Sequence, residues 1–171
     1  FSLPGVFSSK QLDRGTHLLL SSLIELSGKT VLDVGCGYGI IGLTAAQSGA
    51  IKVDMVDNQF LAVAAARKNI DQNQITNCQV FWSDLFAGIQ GNVYDHIISN
   101  PPFHAGLKVN YLVTHALITS AVSALREGGC LHIVANRFIP YDKLMNEVFG
   151  NVRVVTQNSA YRILISTKEH V

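Results

Sequence analysis

Residues 99–103 read Ser-Asn-Pro-Pro-Phe, and this short segment carries the groups needed to hold an amino group. Two consecutive prolines restrict the backbone and supply no N–H donors, so nearby carbonyl oxygens lack local partners. The side-chain oxygen of Asn100 and the carbonyl oxygen of Pro101 can together accept both hydrogens of an amine, and Phe103 offers a flat face for a base. The segment therefore predicts a site that aims an amine at an electrophile. A strand-ending loop with Phe103 in the core is the plainer alternative.

A second segment, residues 31–39, runs from an apolar stretch into a glycine-rich turn, which lets backbone amides approach a bound nucleotide closely. The spacing of Gly37, Gly39 and Gly42 also fits the dinucleotide fingerprint, so the glycines alone leave a nicotinamide cofactor open. Asp33 stands just before the turn, where it would repel a pyrophosphate but attract the ammonium group of S-adenosylmethionine. The acid therefore favours S-adenosylmethionine as the cofactor.

Two further acids follow later apolar stretches, and parallel strands would bring them to the same edge of a sheet. Asp57 is placed to accept hydrogen bonds from ribose hydroxyls, and Asp84 to accept one from an adenine amino group. Both could equally be solvated turn acids, and a backbone group could replace Asp84. The predicted cofactor-binding residues in these turns are Asp33, Gly35, Gly37, Asp57, Asn58, Asp84, Leu85 and Asn100.

Short apolar runs alternate with helix-length amphipathic stretches, which is typical of an α/β fold built on a mainly parallel sheet. The predicted strands are residues 30–34, 52–56, 78–82, 96–99, 131–135, 152–156 and 161–166. The predicted helices are residues 16–25, 40–48, 59–72, 111–125 and 141–149. The last two strands are joined by a short polar turn with no room for a crossover helix, so this pair must be antiparallel.

Composition limits the class of protein. The chain has 171 residues, 48% of them hydrophobic, and is predicted to be a single domain, residues 1–171. Its formal net charge of +1 supports a nucleic-acid partner only weakly, unless basic residues cluster or another domain contributes affinity. The three cysteines are widely spaced and form no zinc motif, so we expect no metal and a reducing, cytoplasmic location. The apolar runs are too short to cross a bilayer.

Five segments in order resemble the class I methyltransferases with an Asn-Pro-Pro-aromatic motif, and more closely the bacterial small-subunit rRNA guanine-(2-amino) methyltransferases. They are Leu-Pro-Gly-Val-Phe-Ser at 3–8, Leu-Asp-x-Gly-Thr at 12–16, Val-Leu-Asp-Val-Gly-Cys-Gly at 31–37, Ile-Ile-Ser-Asn-Pro-Pro-Phe-His at 97–104 and Ile-Val-Ala-Asn at 133–136. The resemblance implies a Rossmann-like, seven-stranded methyltransferase fold whose last strand is antiparallel, with helices on both faces. It also implies a preceding, degenerate methyltransferase-like domain, which would explain why the sequence opens at Phe1 without Met.

The resemblance further implies roles for single residues. It assigns the methionine carboxylate of the cofactor to Thr16, although this residue also suits a helix cap before an apolar run. Phenylalanine after the two prolines, rather than tyrosine or tryptophan, favours guanine as the base stacked on Phe103. His104 is expected to be a loop or substrate contact rather than a general base. Lys108 and Arg137 are expected to meet phosphates, unless they are ordinary surface charges.

Together these features predict transfer of a methyl group from S-adenosylmethionine to the 2-amino group of a guanine in 16S ribosomal RNA. The product cofactor would be S-adenosylhomocysteine, and the substrate either free RNA or the small ribosomal subunit. Asn100, Pro101 and Phe103 are the predicted catalytic residues. The alternatives are the same fold acting on adenine or a protein glutamine, a nicotinamide-dependent oxidoreductase, and a noncatalytic RNA-binding domain. No motif predicts the oligomeric state.

Overall fold

The computed structural model of the protein describes residues 1–6, 11–23, 25–101 and 107–169, which form a seven-stranded sheet. The strands are β1 (Thr30–Val34), β2 (Lys52–Asp57), β3 (Cys78–Trp82), β4 (Tyr94–Ser99), β5 (Leu125–Asn136), β6 (Arg153–Gln157) and β7 (Tyr161–Thr167). Their order across the sheet is β3-β2-β1-β4-β5-β7-β6. The pairs from β3 to β5 are parallel, whereas β7 runs antiparallel to β5 and β6. The predicted mixed sheet with an antiparallel last strand is confirmed.

Helices cover both faces of this sheet, as predicted. In the described residues they are α1 (Arg14–Leu20), α2 (Ile40–Gln47), α3 (Phe60–Gln72), α4 (Leu107–Ala124) and α5 (Tyr141–Phe149). One face packs against the first three helices through a core that includes Leu19, Ile41 and Val63. The other face packs against α4 and α5 through residues such as Leu117 and Met145. Because both faces are covered, β1 is buried at all five of its positions and reads as a largely apolar run.

The first helix is shorter than the sequence pattern indicates. The helix predicted at residues 16–25 is wrong at both ends, as the bounds of α1 show. Ser21 and Ser22 donate their hydroxyl hydrogens back to carbonyl oxygens of the helix, which favours an early end. Glu25 has a φ of 59°, in the left-handed region that a right-handed helix excludes. Apolar periodicity alone therefore overestimated the length of this helix.

The helix cap predicted at Thr16 is also wrong. The N-cap is Asp13, whose Oδ2 accepts a hydrogen bond from the backbone N–H of Thr16 at 2.9 Å. A capping side chain must precede the helix to reach the N–H groups of its first turn. Thr16 lies inside that first turn, so its hydroxyl is left for other contacts.

The fifth strand is longer than predicted, since β5 begins at Leu125 rather than at Leu131. Its early part contains exposed Arg126 and Glu127 followed by two glycines, so the apolar pattern that identified the strand is missing there. Tyr94, at the start of β4, pairs with this early part across a register shift. The strand therefore reaches past the apolar run at its amino end.

The described residues contain no disulfide bond, membrane-spanning helix or metal-binding cluster. All three cysteines are free; Cys36 and Cys78 are buried, as predicted for small core residues, and Cys130 is half-buried. Along the described part of the chain, no helix combines the length and the apolar character required to cross a bilayer. Within the same residues, no group of three or more His, Cys, Asp or Glu side chains is arranged to hold a metal ion.

Gly42 lets α2 pack closely on β2, because a Cβ at this position would overlap the Sδ and Cγ atoms of Met55. Met55 is fully buried, so it has little room to move. We therefore expect Gly42→Ala to lower the free energy of unfolding by about 1–3 kcal/mol, the usual cost of overpacking a core. Thermal unfolding measures the effect. The double variant Gly42→Ala/Met55→Val should recover part of the loss, and an unchanged midpoint in the single variant would contradict the packing argument.

Candidate active site

A cavity of about 370 Å³ opens at the carboxyl ends of the parallel strands. It lies where β1 neighbours both β2 and β4, the switch point at which ligands bind in open α/β sheets. The predicted residues that line it are Gly35, Gly37, Asp57, Asn58, Asp84, Leu85, Asn100 and Pro101. The fold thus brings together, in one cavity, most of the residues predicted from separate motifs.

The glycine turn between β1 and α2 is held against the end of β2. The N–H groups of Gly35 and Cys36 both donate to the carbonyl oxygen of Val56, at 2.9 and 3.0 Å. Gly35, Gly37 and Gly39 have φ values of 73°, 57° and 91°, which residues with a Cβ rarely adopt. Two of these glycines line the cavity, so the turn presents bare backbone to a ligand.

Asp57 ends β2, and its carboxylate is oriented by two backbone groups. Oδ2 accepts from the N–H of Gly37 at 2.9 Å, and Oδ1 accepts from the N–H of Gln59 at 2.8 Å. Each carboxylate oxygen can accept a further hydrogen bond, because it has two lone pairs. Asp57 therefore anchors the glycine turn and can also accept hydroxyl groups of a ligand in the cavity.

Asp33 lies beneath the turn rather than in the cavity lining, and it is completely buried. Its Oδ2 accepts from the N–H of Gly42 at 2.9 Å, which ties β1 to α2, while Oδ1 has no partner among the described residues. Burial raises the pKa of Asp33 to about 7, against the lowering effect of the Gly42 bond and with a smaller contribution from the charge of Asp57. Its contact with the ammonium group of a cofactor stays a prediction.

The segment after β3 forms the third wall of the cavity. The hydroxyl of buried Ser83 donates to the carbonyl oxygen of Leu85 at 2.8 Å and accepts a backbone N–H at the same distance. Leu85 has a φ of 47°, so the chain turns sharply at a residue that is not glycine. Asp84 and Asn58 are exposed at the rim, where the carbonyl oxygen of Asn58 accepts from the indole N–H of Trp82 at 3.0 Å. These hydrogen bonds fix the backbone on this side of the cavity.

Asn100 follows β4, and the nitrogen of its side-chain amide donates two hydrogen bonds. Nδ2 donates to Oδ2 of Asp13 at 2.9 Å and to Oγ1 of Thr16 at 2.8 Å. Both hydrogens of the amide nitrogen are therefore used, which leaves Oδ1 to contact a ligand. Thr16 is buried in this cluster and is not part of the cavity lining, so its predicted contact with the cofactor stays a prediction.

Ser99 aligns Asn100 with the glycine turn. The Ser99 hydroxyl, buried at the end of β4, donates to the carbonyl oxygen of Val34 at 2.7 Å. This bond joins the ends of β4 and β1, the strands that lead into Asn100 and into the glycine turn. Buried Pro101 continues the cavity wall beside Asn100.

The predicted substrate contacts lie mostly beyond what the structure describes. Phe103 and His104 are outside the described residues, as is the side chain of Lys108, which lies in the first turn of α4. Arg137 is exposed directly after β5, the strand beside β4, but it does not line the cavity. Their predicted contacts with a base or with phosphates stay predictions.

Several residues of the site were missed by the sequence reasoning. Among them, Gly5 lines the cavity, Ser83 and Ser99 both line it and support it through hydrogen bonds, and Asp13 holds Asn100. The two serines carried a usable signal, since each is a polar residue directly after or at the end of an apolar strand. Gly5 and Asp13 had none beyond membership of a recognised segment, because their contacts join distant parts of the chain.

The sheet order, the antiparallel last strand and the glycine turn that shares a cavity with Asn100 and Pro101 define a Rossmann-like, class I methyltransferase fold. A family model described as methyltransferase small domain matches residues 1–165. The chain belongs to this methyltransferase small domain family. The resemblance noted from the sequence is therefore confirmed at the level of the family.

Relatives from other bacteria match nearly all of this chain. Ribosomal RNA small subunit methyltransferase C of Haemophilus influenzae (strain PittGG) is 42% identical over 164 residues, which cover 95% of this chain and 49% of that protein. The protein of the same name from Hahella chejuensis is also 42% identical, over 95% of this chain and 47% of its own length. This chain thus spans about half the length of the curated relatives that it matches.

Solved methyltransferase structures match the fold of nearly the whole chain. The 16S rRNA N2 guanine methyltransferase (RsmC) of T. thermophilus, in complex with AdoMet and guanosine, superimposes with a TM-score of 0.89 at 34% identity, covering 98% of this chain and 46% of that one. The ribosomal protein L11 methylase of Lactobacillus delbrueckii subsp. bulgaricus has a TM-score of 0.77 at 21% identity, over 98% of this chain and 83% of that one. The second likeness concerns the fold alone.

Proposed function

We propose that this protein transfers a methyl group from S-adenosylmethionine to the exocyclic 2-amino group of a guanine in 16S ribosomal RNA. The observation that carries the proposal is the Asn100 amide, whose nitrogen is held by Asp13 and Thr16 so that its oxygen remains for an amine. The T. thermophilus relative, solved with AdoMet and guanosine, supports the same pair of ligands. Family membership favours methyl transfer over the nicotinamide-dependent alternative.

The residues of the chain act by positioning. Oδ1 of Asn100 and the carbonyl oxygen of Pro101 accept the two amine hydrogens, which aims the nitrogen lone pair at the methyl donor. S-adenosylmethionine supplies the methyl group on a sulfonium, so the departing thioether needs no proton. The amine nitrogen forms the new bond to carbon and then releases one proton to water. Positioning and electrostatics, rather than a general base, therefore account for most of the rate.

The cofactor site fits a molecule with an adenosine and an amino-acid end. The bare backbone of the glycine turn allows close approach, and Asp57 offers its second lone pairs to ribose hydroxyls. Asp84, Leu85 and Asn58 form the rim assigned to adenine. Asp33 has a buried oxygen beneath the turn that has no hydrogen-bond partner within the described part of the chain, which supports an electrostatic role toward the ammonium group. The product, S-adenosylhomocysteine, would occupy the same cavity.

Replacing Asp57 with alanine is expected to weaken S-adenosylmethionine binding by about 10- to 100-fold, since hydrogen bonds to a charged group are lost and the Gly37 N–H loses its anchor. Isothermal calorimetry on the purified variant measures the dissociation constant. Asp71→Ala removes an equally charged but exposed residue of α3 and should leave the constant unchanged. A dissociation constant for Asp57→Ala within twofold of wild type would remove this residue from the cofactor site.

RNA recognition is proposed to be shared with a further domain. The relatives are about twice as long as this chain, and a net charge of +1 gives it little phosphate affinity of its own. Residues 1–171 would form the catalytic domain, with Phe103 and His104 near the base and Lys108 and Arg137 near phosphates. The partner would be the small ribosomal subunit in the cytoplasm.

The proposal is tested by supplying labelled S-adenosylmethionine and small ribosomal subunits isolated without prior modification, followed by nucleoside analysis. A labelled 2-methylguanosine peak is the expected result. Parallel reactions contain free 16S RNA, DNA and total protein. Label in N6-methyladenosine or in methylglutamine, with none in guanosine, would overturn the guanine assignment while retaining the methyl-transfer chemistry.

A further inference from the structure

We infer that Asp13 is a positioning residue that fixes the sense of the Asn100 amide, so that its oxygen rather than its nitrogen meets the target amine. The inference rests on the proposed role of Asn100 as the amine acceptor. Asp13 itself contacts the amide nitrogen at 2.9 Å and is not part of the cavity lining. It acts on the reaction only through Asn100.

A side-chain amide can occupy the same space in two orientations that exchange its oxygen and its nitrogen. In the observed orientation, the amide N–H groups meet one oxygen of the Asp13 carboxylate and the hydroxyl of Thr16. The exchanged orientation would place the amide oxygen against the carboxylate, and two acceptors repel each other. The Thr16 hydroxyl tolerates either orientation, because it can donate or accept. Asp13, and not Thr16, therefore decides which way the amide faces.

The position of Asp13 is itself fixed, so the carboxylate cannot follow a turning amide. The same Oδ2 caps α1 by accepting from the backbone N–H of Thr16 at 2.9 Å. The helix in turn packs against β5 and β7, with Leu19 completely buried. A rigid helix end thus presents one carboxylate oxygen to the end of β4.

The orientation matters because an amine offers hydrogens to its acceptors and its lone pair to the methyl donor. An exchanged amide would direct its own N–H groups at the amine and turn the lone pair away from the methyl donor. Loss of Asp13 is therefore expected to reduce the population of productive complexes without changing cofactor affinity.

The test uses substitutions that separate capping from positioning. Asp13→Ser retains a good N-cap but is too short to reach Asn100, so we expect methyl transfer to slow by about 10- to 100-fold with the dissociation constant of S-adenosylmethionine unchanged. Asp13→Asn keeps a capping oxygen of the same reach, and we expect it to recover most of the rate. Leu20→Ala weakens the packing of α1 away from Asn100 and should lower the melting temperature without this loss of rate.

A double-mutant cycle gives the decisive readout. If Asp13 acts through Asn100, then Asp13→Ser should cause no further loss in an Asn100→Ala background. Independent, multiplying losses would overturn the inference. Full turnover in Asn100→Ala alone would instead remove the proposed role of Asn100 as amine acceptor. Side-chain NMR, which needs no substrate, should show slow hydrogen exchange of the Asn100 NH₂ group in wild type and fast exchange in Asp13→Ser; equal exchange would also overturn the inference.

Discussion

Replacing Asn100 with alanine is expected to lower the rate of methyl transfer by about 100- to 1,000-fold, the usual cost of removing one preorganised group at a reacting centre. The variant loses Oδ1, which we propose accepts a hydrogen of the target amine. The affinity for S-adenosylmethionine should remain nearly unchanged, because Asp57 and the glycine turn lie at the ends of other strands. Single-turnover assays at saturating cofactor measure the rate, and calorimetry measures the affinity.

Asn77→Ala is a matched control for this variant. Asn77 is also a half-buried asparagine with two hydrogen bonds from its amide nitrogen, to the carbonyl oxygens of Ala46 and Ala50 at 3.3 and 2.6 Å. It directly precedes β3, so it lies at the opposite edge of the sheet. We expect it to lose stability but keep its rate. If Asn100→Ala and Asn77→Ala both keep the wild-type rate, Asn100 has no part in the reaction.

Replacing Asp33 with asparagine is expected to stabilise the cofactor-free protein. The asparagine oxygen can still accept from the Gly42 N–H, and no buried charge remains. The pKa of Asp33 is raised from 3.8 to about 7 by burial, so the folded state holds a proton that the unfolded state releases. The stability of wild type therefore falls as pH rises through this window. Relative to wild type, the variant should gain up to about 4 kcal/mol between pH 4 and pH 8.

Urea unfolding at several pH values, without cofactor, measures this difference. Asp54→Asn is the contrasting control, because Asp54 is equally buried but accepts from Tyr94 at 2.7 Å and pairs with Lys52 at 2.8 Å. Its replacement should cost stability rather than add it. A stability difference between Asp33→Asn and wild type that does not change with pH would show that Asp33 titrates normally.

The same variant should bind S-adenosylmethionine at least about tenfold more weakly. A lost electrostatic attraction of about 1.4 kcal/mol is enough for a tenfold change in the dissociation constant. The reason is the proposed attraction between ionised Asp33 and the cofactor ammonium group. In wild type the affinity should rise from pH 6 towards pH 7.5, as Asp33 loses its proton, and this slope should vanish in Asp33→Asn. Calorimetry across this range tests both statements, and an unaltered affinity would confine Asp33 to a structural role.

The fold was accessible from the sequence wherever burial produced apolar runs. β1 and β3 were predicted with their observed bounds, since each is a short apolar run bounded by polar residues or glycine. The errors occurred where hydrogen bonding and not burial sets the boundary. The serine hydroxyls end α1 early, and the polar start of β5 is stabilised by pairing with β4 rather than by apolar side chains.

The site was accessible to the extent that its groups follow strands. Asp57, Asp84 and Asn100 each stand at or just beyond a strand end, and parallel strands bring such ends together. Two features could not be foreseen. Asp13 lies 87 positions before Asn100, so no local pattern links them. The burial of Asp33 beneath the turn depends on the packing of α2, which the glycine spacing does not reveal.

The order of strands separates the residues proposed to bind the methyl donor from those proposed to bind the acceptor. The turns after β1, β2 and β3 carry the residues assigned to the methyl donor, whereas the end of β4 and the cap of α1 carry those assigned to the acceptor. The hydrogen bond from the Ser99 hydroxyl to the carbonyl oxygen of Val34 joins these two halves of the site. Evolution can therefore alter the acceptor half, and with it the substrate, while inheriting the donor half intact.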